Sequence, residues 1–120
     1  MKLDLRENMY IRTNYGRIDK IFNIKDDYVI GVSPIDNFYV YYIDSIVKAS
    51  YNIVDILEVG DILVDDTNRK LEILLIDNEL MVRNAGLIYD NNFYLPIKSI
   101  AIKSVITHEQ MEQMEYKVGE

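Results

Sequence analysis

Short runs of β-branched and aromatic residues alternate with polar turns along almost the whole chain, and this rhythm predicts a mainly β protein. Met9 to Thr13 is the first run, and Asn14-Tyr15-Gly16 turns it back. Ile18, Ile21, Phe22 and Ile24 follow; their spacing could be helical, but the β-branched content favours a twisted strand. Lys25-Asp26-Asp27 turns into the strand Tyr28 to Val32, and Ser33-Pro34-Ile35-Asp36-Asn37 breaks the chain again. Phe38 to Ile43 is the strongest strand signal, all aromatic or β-branched. Ile46 to Ala49 is short and extended, and Ser50 to Ile56 reads as a single helical turn capped by Ser50.

At mid-chain, Leu57-Glu58-Val59-Gly60-Asp61 reads as a turn before the strand Ile62 to Val64. Asp65-Asp66-Thr67-Asn68 forms an acidic hairpin tip. Strands are then expected at Lys70 to Ile76, Leu80 to Arg83, Leu87 to Tyr89 and Phe93 to Leu95, with one extended run from Ile97 to Ile106. The one convincing helix covers 107–118. Thr107 and Gln110 have capping-box spacing, and Met111, Met114 and Val118 fall on one stripe.

The two halves echo each other. Asn37-Phe38-Tyr39-Val40 returns as Asn92-Phe93-Tyr94-Leu95, Ile43-Asp44-Ser45-Ile46 as Ile97-Lys98-Ser99-Ile100, and Ile18-Asp19-Lys20-Ile21 as Leu71-Glu72-Ile73-Leu74. Over-use of Ile and Asn can also generate such matches by chance. A true repeat predicts two small β units, 1–56 and 57–120, each the size of a five-stranded barrel of the Src-homology-3 type, packed together because such a unit alone is marginal. The competing architecture is one continuous antiparallel meander folded into a single sandwich or barrel.

Charge adds an asymmetry. Residues 1–56 carry seven basic and eight acidic side chains, whereas residues 57–120 carry six and twelve. An acidic half disfavours direct nucleic-acid binding, which needs Lys and Arg against phosphates. It suits a basic partner surface or plain solubility. There is no cysteine, so disulfides, thiolate metal sites and thiol nucleophiles are out. The charged N-terminal segment is no signal peptide, and no apolar run is long enough to span a membrane.

Enzyme chemistry finds little support. His108 is the single histidine and reads as a solvated helix-start residue. The pairs Asp26-Asp27 and Asp65-Asp66 lie in turns, where carboxylates cap and solvate, and there is no glycine-rich phosphate loop. Neither a cofactor nor a metal is expected. The candidates that remain are contact residues. Alternation puts Tyr39 and Tyr41 on one face of their strand and Phe38, Val40 and Tyr42 on the other; one face must be core, and the other offers a tyrosine-rich contact surface. Asp61, Asp65, Asp66, Glu109, Glu112 and Glu115 supply the acidic surface.

Met1 to Thr13, Ile46 to Asp55 and Ile102 to Gln110 resemble small phage and prophage proteins of clostridia and related bacteria, leaving residues 62–95 divergent. The resemblance carries no catalytic residues. It implies an accessory protein made in the host bacterial cytoplasm and, by analogy of class, an inhibitor of a host defence protein such as an anti-CRISPR. The expected function is therefore non-enzymatic binding, with Asp61, Asp65, Asp66, Glu109, Glu112, Glu115, Tyr39 and Tyr41 meeting a basic surface that normally holds nucleic acid. The alternatives are a nucleotide-signal sponge using tyrosines with Arg12 and Arg17, and a structural or regulatory phage module that oligomerises.

Overall fold

The β-branched and aromatic runs do form strands, because each can turn alternate side chains into a core while the polar segments between them take the turns. A computed structural model describes residues 3–33, 37–84 and 94–114. Leu87 to Tyr89, Phe93 and the end of the expected helix, including Glu115, lie outside the described residues. The chain divides into two compact units, Met1–Ile56 and Leu57–Glu120.

The first unit is a five-stranded antiparallel sheet of β1 (Tyr10–Thr13), β2 (Ile18–Ile24), β3 (Tyr28–Val32), β4 (Phe38–Tyr42) and β5 (Ile46–Ser50), in the order β4-β3-β2-β1-β5. Its core is Ile11, Ile21, Val29, Tyr41 and Ile46, with Leu3, Leu5, Met9, Ile24, Ile43 and Ala49 packed against it. A 3-10 turn, Ile43–Ser45, joins β4 to β5, and a second, Ile53–Ile56, follows β5. The cap of that second turn is Asn52 rather than Ser50: the Asn52 side-chain oxygen accepts the Val54 N–H at 3.2 Å. The Ser50 hydroxyl accepts the Asn52 N–H and donates to Asp55.

The second unit repeats the plan. Its strands are β6 (Ile62–Asp65), β7 (Lys70–Ile76), β8 (Glu79–Asn84), β9 (Leu95–Pro96) and β10 (Ile102–Ile106), in the order β10-β6-β7-β8-β9. Leu57, Leu63, Leu71, Ile73, Val82 and Ile97 are its buried apolar residues. Asp77 and Asn78 both take positive φ, 52° and 65°, as a two-residue hairpin turn requires. Helix α1 (His108–Met114) follows β10. The capping box forms as the spacing predicts: the Thr107 hydroxyl accepts the Gln110 N–H, and Gln110 Oε1 accepts the Thr107 N–H.

Equivalent hydrogen bonds establish how the two plans correspond. In the first unit Asn8 N–H donates to the Ile21 carbonyl and Ile21 N–H to Met9; in the second, Gly60 N–H donates to Ile73 and Ile73 N–H to Asp61. Asn8 and Gly60 share a positive φ, 72° and 95°. This alignment makes Ile18 the counterpart of Lys70, one residue away from the match with Leu71 read from residue types alone. The extended run expected from Ile97 to Ile106 is interrupted by a 3-10 turn, Ile97–Ser99. There the Ser99 hydroxyl donates to the Pro96 carbonyl at 2.7 Å, just as Ser45 donates to Tyr42 at 2.7 Å. The ladders leave β4 and β5 at the edges of one sheet and β9 and β10 at the edges of the other, so neither sheet closes into a barrel through the described pairings. No helix among the described residues is long and apolar enough to cross a membrane.

Candidate functional site

The aromatic strand β4 settles which of its faces is core, and it is the face carrying Tyr41. Asp19 on β2 and Gly31 on β3 make room for that ring. A Cβ on Gly31 would lie 2.8 Å from Tyr41 Cε2 and 3.1 Å from Asp19 Cβ, so any larger residue would collide. The Tyr41 hydroxyl donates to the buried Asp19 carboxylate, with Arg17 Nε 3.7 Å from the same oxygen. Burial pushes the Asp19 carboxyl above its ordinary range, against the opposing pull of Tyr41 and Arg17. Burial, then the hydrogen bond to Asp19 and its charge, pushes the Tyr41 phenol upward. Tyr41 is thus a core residue and not a contact residue. Tyr39 shares its face but lies toward the rim, its ring 4.2 Å beneath the Arg17 guanidinium.

The opposite face carries the apolar surface. Phe38, Val40 and Tyr42 are 56%, 59% and 68% exposed, opposite Val32, Ile30 and Tyr28 of β3. A bulge in the β2–β3 ladder between Ile21 and Asn23 brings Phe22, also 56% exposed, edge-on to Phe38 with ring centroids 5.1 Å apart. Four large apolar side chains on one face of the sheet, three on the edge strand β4 and one on β2, are far more than the scattered single residues normal on a surface.

Burial removes two residues, Asp61 and Asp65, from the expected acidic surface. Asp61 is fully buried: one carboxylate oxygen accepts the His108 N–H at 3.0 Å, and the other accepts the Glu58 N–H at 2.8 Å. It is a structural pin and offers no charge to a partner. Asp65 is buried too. It accepts the Thr67 hydroxyl, the Thr67 and Arg69 N–H groups and Arg69 Nε, all within 3.0 Å. The Thr67 hydroxyl is the largest influence lowering its carboxyl to about 2, helped by the backbone and side chain of Arg69. Asp66 and Glu112 are exposed, Glu109 is half-buried, and Glu115 lies outside the described residues.

His108 is not the solvated residue expected. Its Nε2 lies 2.8 Å from Glu58 Oε1 and 3.4 Å from Glu109 Oε1, and its Nδ1 lies 3.9 Å from Glu112 Oε1. Residue types alone gave no reason to join Glu58 to a helix fifty positions later; the Gly60-Asp61 step before a strand was the available signal, because a turn-ending Asp is a ready cap. Arg12 and Arg17 do not form an open nucleotide-binding pair. Arg12 is fully buried and donates to the Ile56 carbonyl at 3.0 Å.

Comparison with known proteins returned no match among family models, curated proteins or solved structures.

Proposed function

We propose that this is a non-enzymatic binding protein that docks another protein through the outer face of the first sheet. The exposed cluster of Phe22, Phe38, Val40 and Tyr42 carries the reading. Aromatic side chains are enriched in the centres of protein interfaces because they give large contact area at low entropic cost. Lys20 is exposed beside this face, stacked over the Tyr10 ring at 5.4 Å. The phage resemblance points to a host defence protein as the partner, met in the host cytoplasm. The contact is then chiefly apolar, with Asp66, Glu109 and Glu112 left to any electrostatic steering. We read each unit as Src-homology-3-like; the shared strand order, with a 3-10 turn before the fifth strand, supports this.

The test is capture from clostridial host lysate at low and at high salt. The wild-type chain should retain the same partner at both, a Phe38→Ser/Tyr42→Ser variant should lose it, and an Asp66→Asn/Glu112→Gln variant should keep it. Loss at high salt, with loss in the acidic variant and retention in the aromatic one, would instead support nucleic-acid mimicry. A mass measurement distinguishes a second copy of the chain as the occupant.

A further inference from the structure

We infer that Glu58, His108 and Glu109 form a binding site for one divalent first-row transition-metal ion, of which zinc is the natural probe. The side chains come from two places in the second unit: Glu58 from the turn before β6, and His108 and Glu109 from the start of α1. One carboxylate oxygen of each glutamate and an imidazole nitrogen all lie within 4.8 Å of one another. A tetrahedral ion with bonds of about 2.0–2.2 Å holds its ligand atoms roughly 3–3.5 Å apart. The 3.4 Å between His108 Nε2 and Glu109 Oε1 already has that value. The 2.8 Å between Nε2 and Glu58 Oε1 is a hydrogen-bond distance, with a proton shared where the ion would sit. Metal entry displaces that proton to solvent, and Nε2 and Glu58 Oε1 then separate by about half an ångström to reach the tetrahedral spacing.

The donor set has the right chemistry. Two carboxylates neutralise a divalent cation. The imidazole biases the site away from magnesium and calcium, which prefer all-oxygen cages, and toward zinc, iron, nickel or copper. Glu112 stands 3.9 Å from Nδ1 on the far side of the ring, beyond hydrogen-bond distance but near enough for its charge to favour a proton on Nδ1 and so leave Nε2 facing the ion. The side chains of His108, Glu58 and Glu109 are 32%, 28% and 19% exposed, which leaves an entry path and room for water ligands.

An independent feature builds the site in advance. Asp61 takes no part in the donor set, yet its two buried oxygens fix the backbone N–H groups of Glu58 and His108. One pin thus holds two of the three ligands at their origins. Gly60, at φ +95°, brings the turn close under His108: a Cβ there would lie 3.4 Å from His108 Cβ. The capping box of Thr107 and Gln110 sets the direction in which the helix carries Glu109. Little ordering remains for the ion to impose, and it would act as a staple between the turn before β6 and α1.

The test uses the full chain stripped of metal and titrated with zinc chloride. Calorimetry counts the sites, and the imidazole 15N signals of the chain's one histidine report where the ion binds. One equivalent should move the ring signals to those of a metal-bound Nε2 with a protonated Nδ1, and should raise the melting temperature. Glu58→Gln and Glu109→Gln, which keep side-chain shape and whose folding the amide spectrum checks, should each weaken binding at least tenfold. Glu112→Gln should weaken it by about tenfold or less. Ring signals that stay still at one equivalent would overturn the proposal, as would binding that both glutamine variants leave unchanged. Partner capture by the first sheet is a separate measurement, so either reading can fail alone.

Discussion

Thr13 and Asp65 hold the same place in the two units and close the same turn with different chemistry. The Thr13 hydroxyl accepts the Arg17 N–H at 3.0 Å; Asp65 Oδ1 accepts the Arg69 N–H at 2.8 Å. The backbone around them is conserved bond for bond: Thr13 N–H donates to the Arg17 carbonyl, and Asp65 N–H to that of Arg69. Two further pairs diverge more. Met9, packed on the first core, corresponds to Asp61, the pin of the second unit. Gly31, which pairs with Ile21, corresponds to Val82, which pairs with Ile73. One hydrogen-bond scheme therefore tolerates opposite side-chain chemistries, and the local difference lies in what each inward position must accommodate: a tyrosine ring in one unit, a helix start in the other.

The largest expected effect comes from breaking the Met9–Asp61 contrast. Asp61→Ala strands two part-buried backbone donors and leaves a cavity at a fully buried side chain, and should destabilise the second unit by about 2–4 kcal/mol. Met9→Ala removes only half-buried apolar contact and should cost the first unit about 1 kcal/mol. Urea denaturation followed by amide exchange within each unit separates the two. Next comes Gly31→Ala, whose added methyl meets the Tyr41 ring and should cost about 1–3 kcal/mol. Val82→Ala at the equivalent position should instead lose stability through a cavity, by about 1–2 kcal/mol.

Tyr41→Phe should cost about 1–2 kcal/mol, because a buried carboxylate loses a donor. It should also change the alkaline limb. The Tyr41 phenol is raised in the folded chain, so its contribution is intact below about pH 10 and is lost as pH rises above that value. A melting profile should flatten there in the variant.

The smallest effect distinguishes two of the buried carboxylates, Asp65 and Asp19, by sign. Asp65 is lowered to about 2, so its stabilisation is present above about pH 4 and is lost as pH falls toward 2. Asp19 is raised, so the folded first unit gains relative stability as pH falls through the folded value of Asp19 toward about 4. By NMR, the Thr67 and Arg69 amides should titrate near pH 2. The Arg17 amide, bonded to a neutral hydroxyl, should show no such step, and Asp65→Asn should abolish the one at Arg69.

Much of the strand plan was legible because most strands are short, rich in apolar residues and bounded on at least one side by Asn or Asp. Thr107 and Gln110 announced the helix start for the same local reason. What escaped is non-local. Nothing near Asp61 names His108 as its partner, and the aromatic run of β4 is symmetric until Gly31 and Asp19, on other strands, select Tyr41 for the core. The 3-10 turn at Ile97–Ser99 was hidden by the isoleucines that follow it at Ile100 and Ile102, although Lys98-Ser99 interrupts the run and the Ile-x-Ser step shared with Ile43–Ser45 carried the signal. Two of the acidic candidates, Asp61 and Asp65, are buried for one physical reason. Asp61 and Asp65 flank a strand, where a carboxylate serves backbone N–H groups more readily than it faces outward.

The placing of the last strand beside the first also has a kinetic consequence. β1 to β4 zip as successive hairpins, whereas Ile11 must find Ala49, and Leu63 must find Val105, across nearly the whole of their units. Those ladders bear the loop-closure entropy and form late. Arg12 reaching the Ile56 carbonyl and Asp61 reaching the His108 amide are clasps laid just beyond those late ladders. Removing either should let its unit come ajar more often, and amide exchange in β5 and β10 should report the loss before any global melt does.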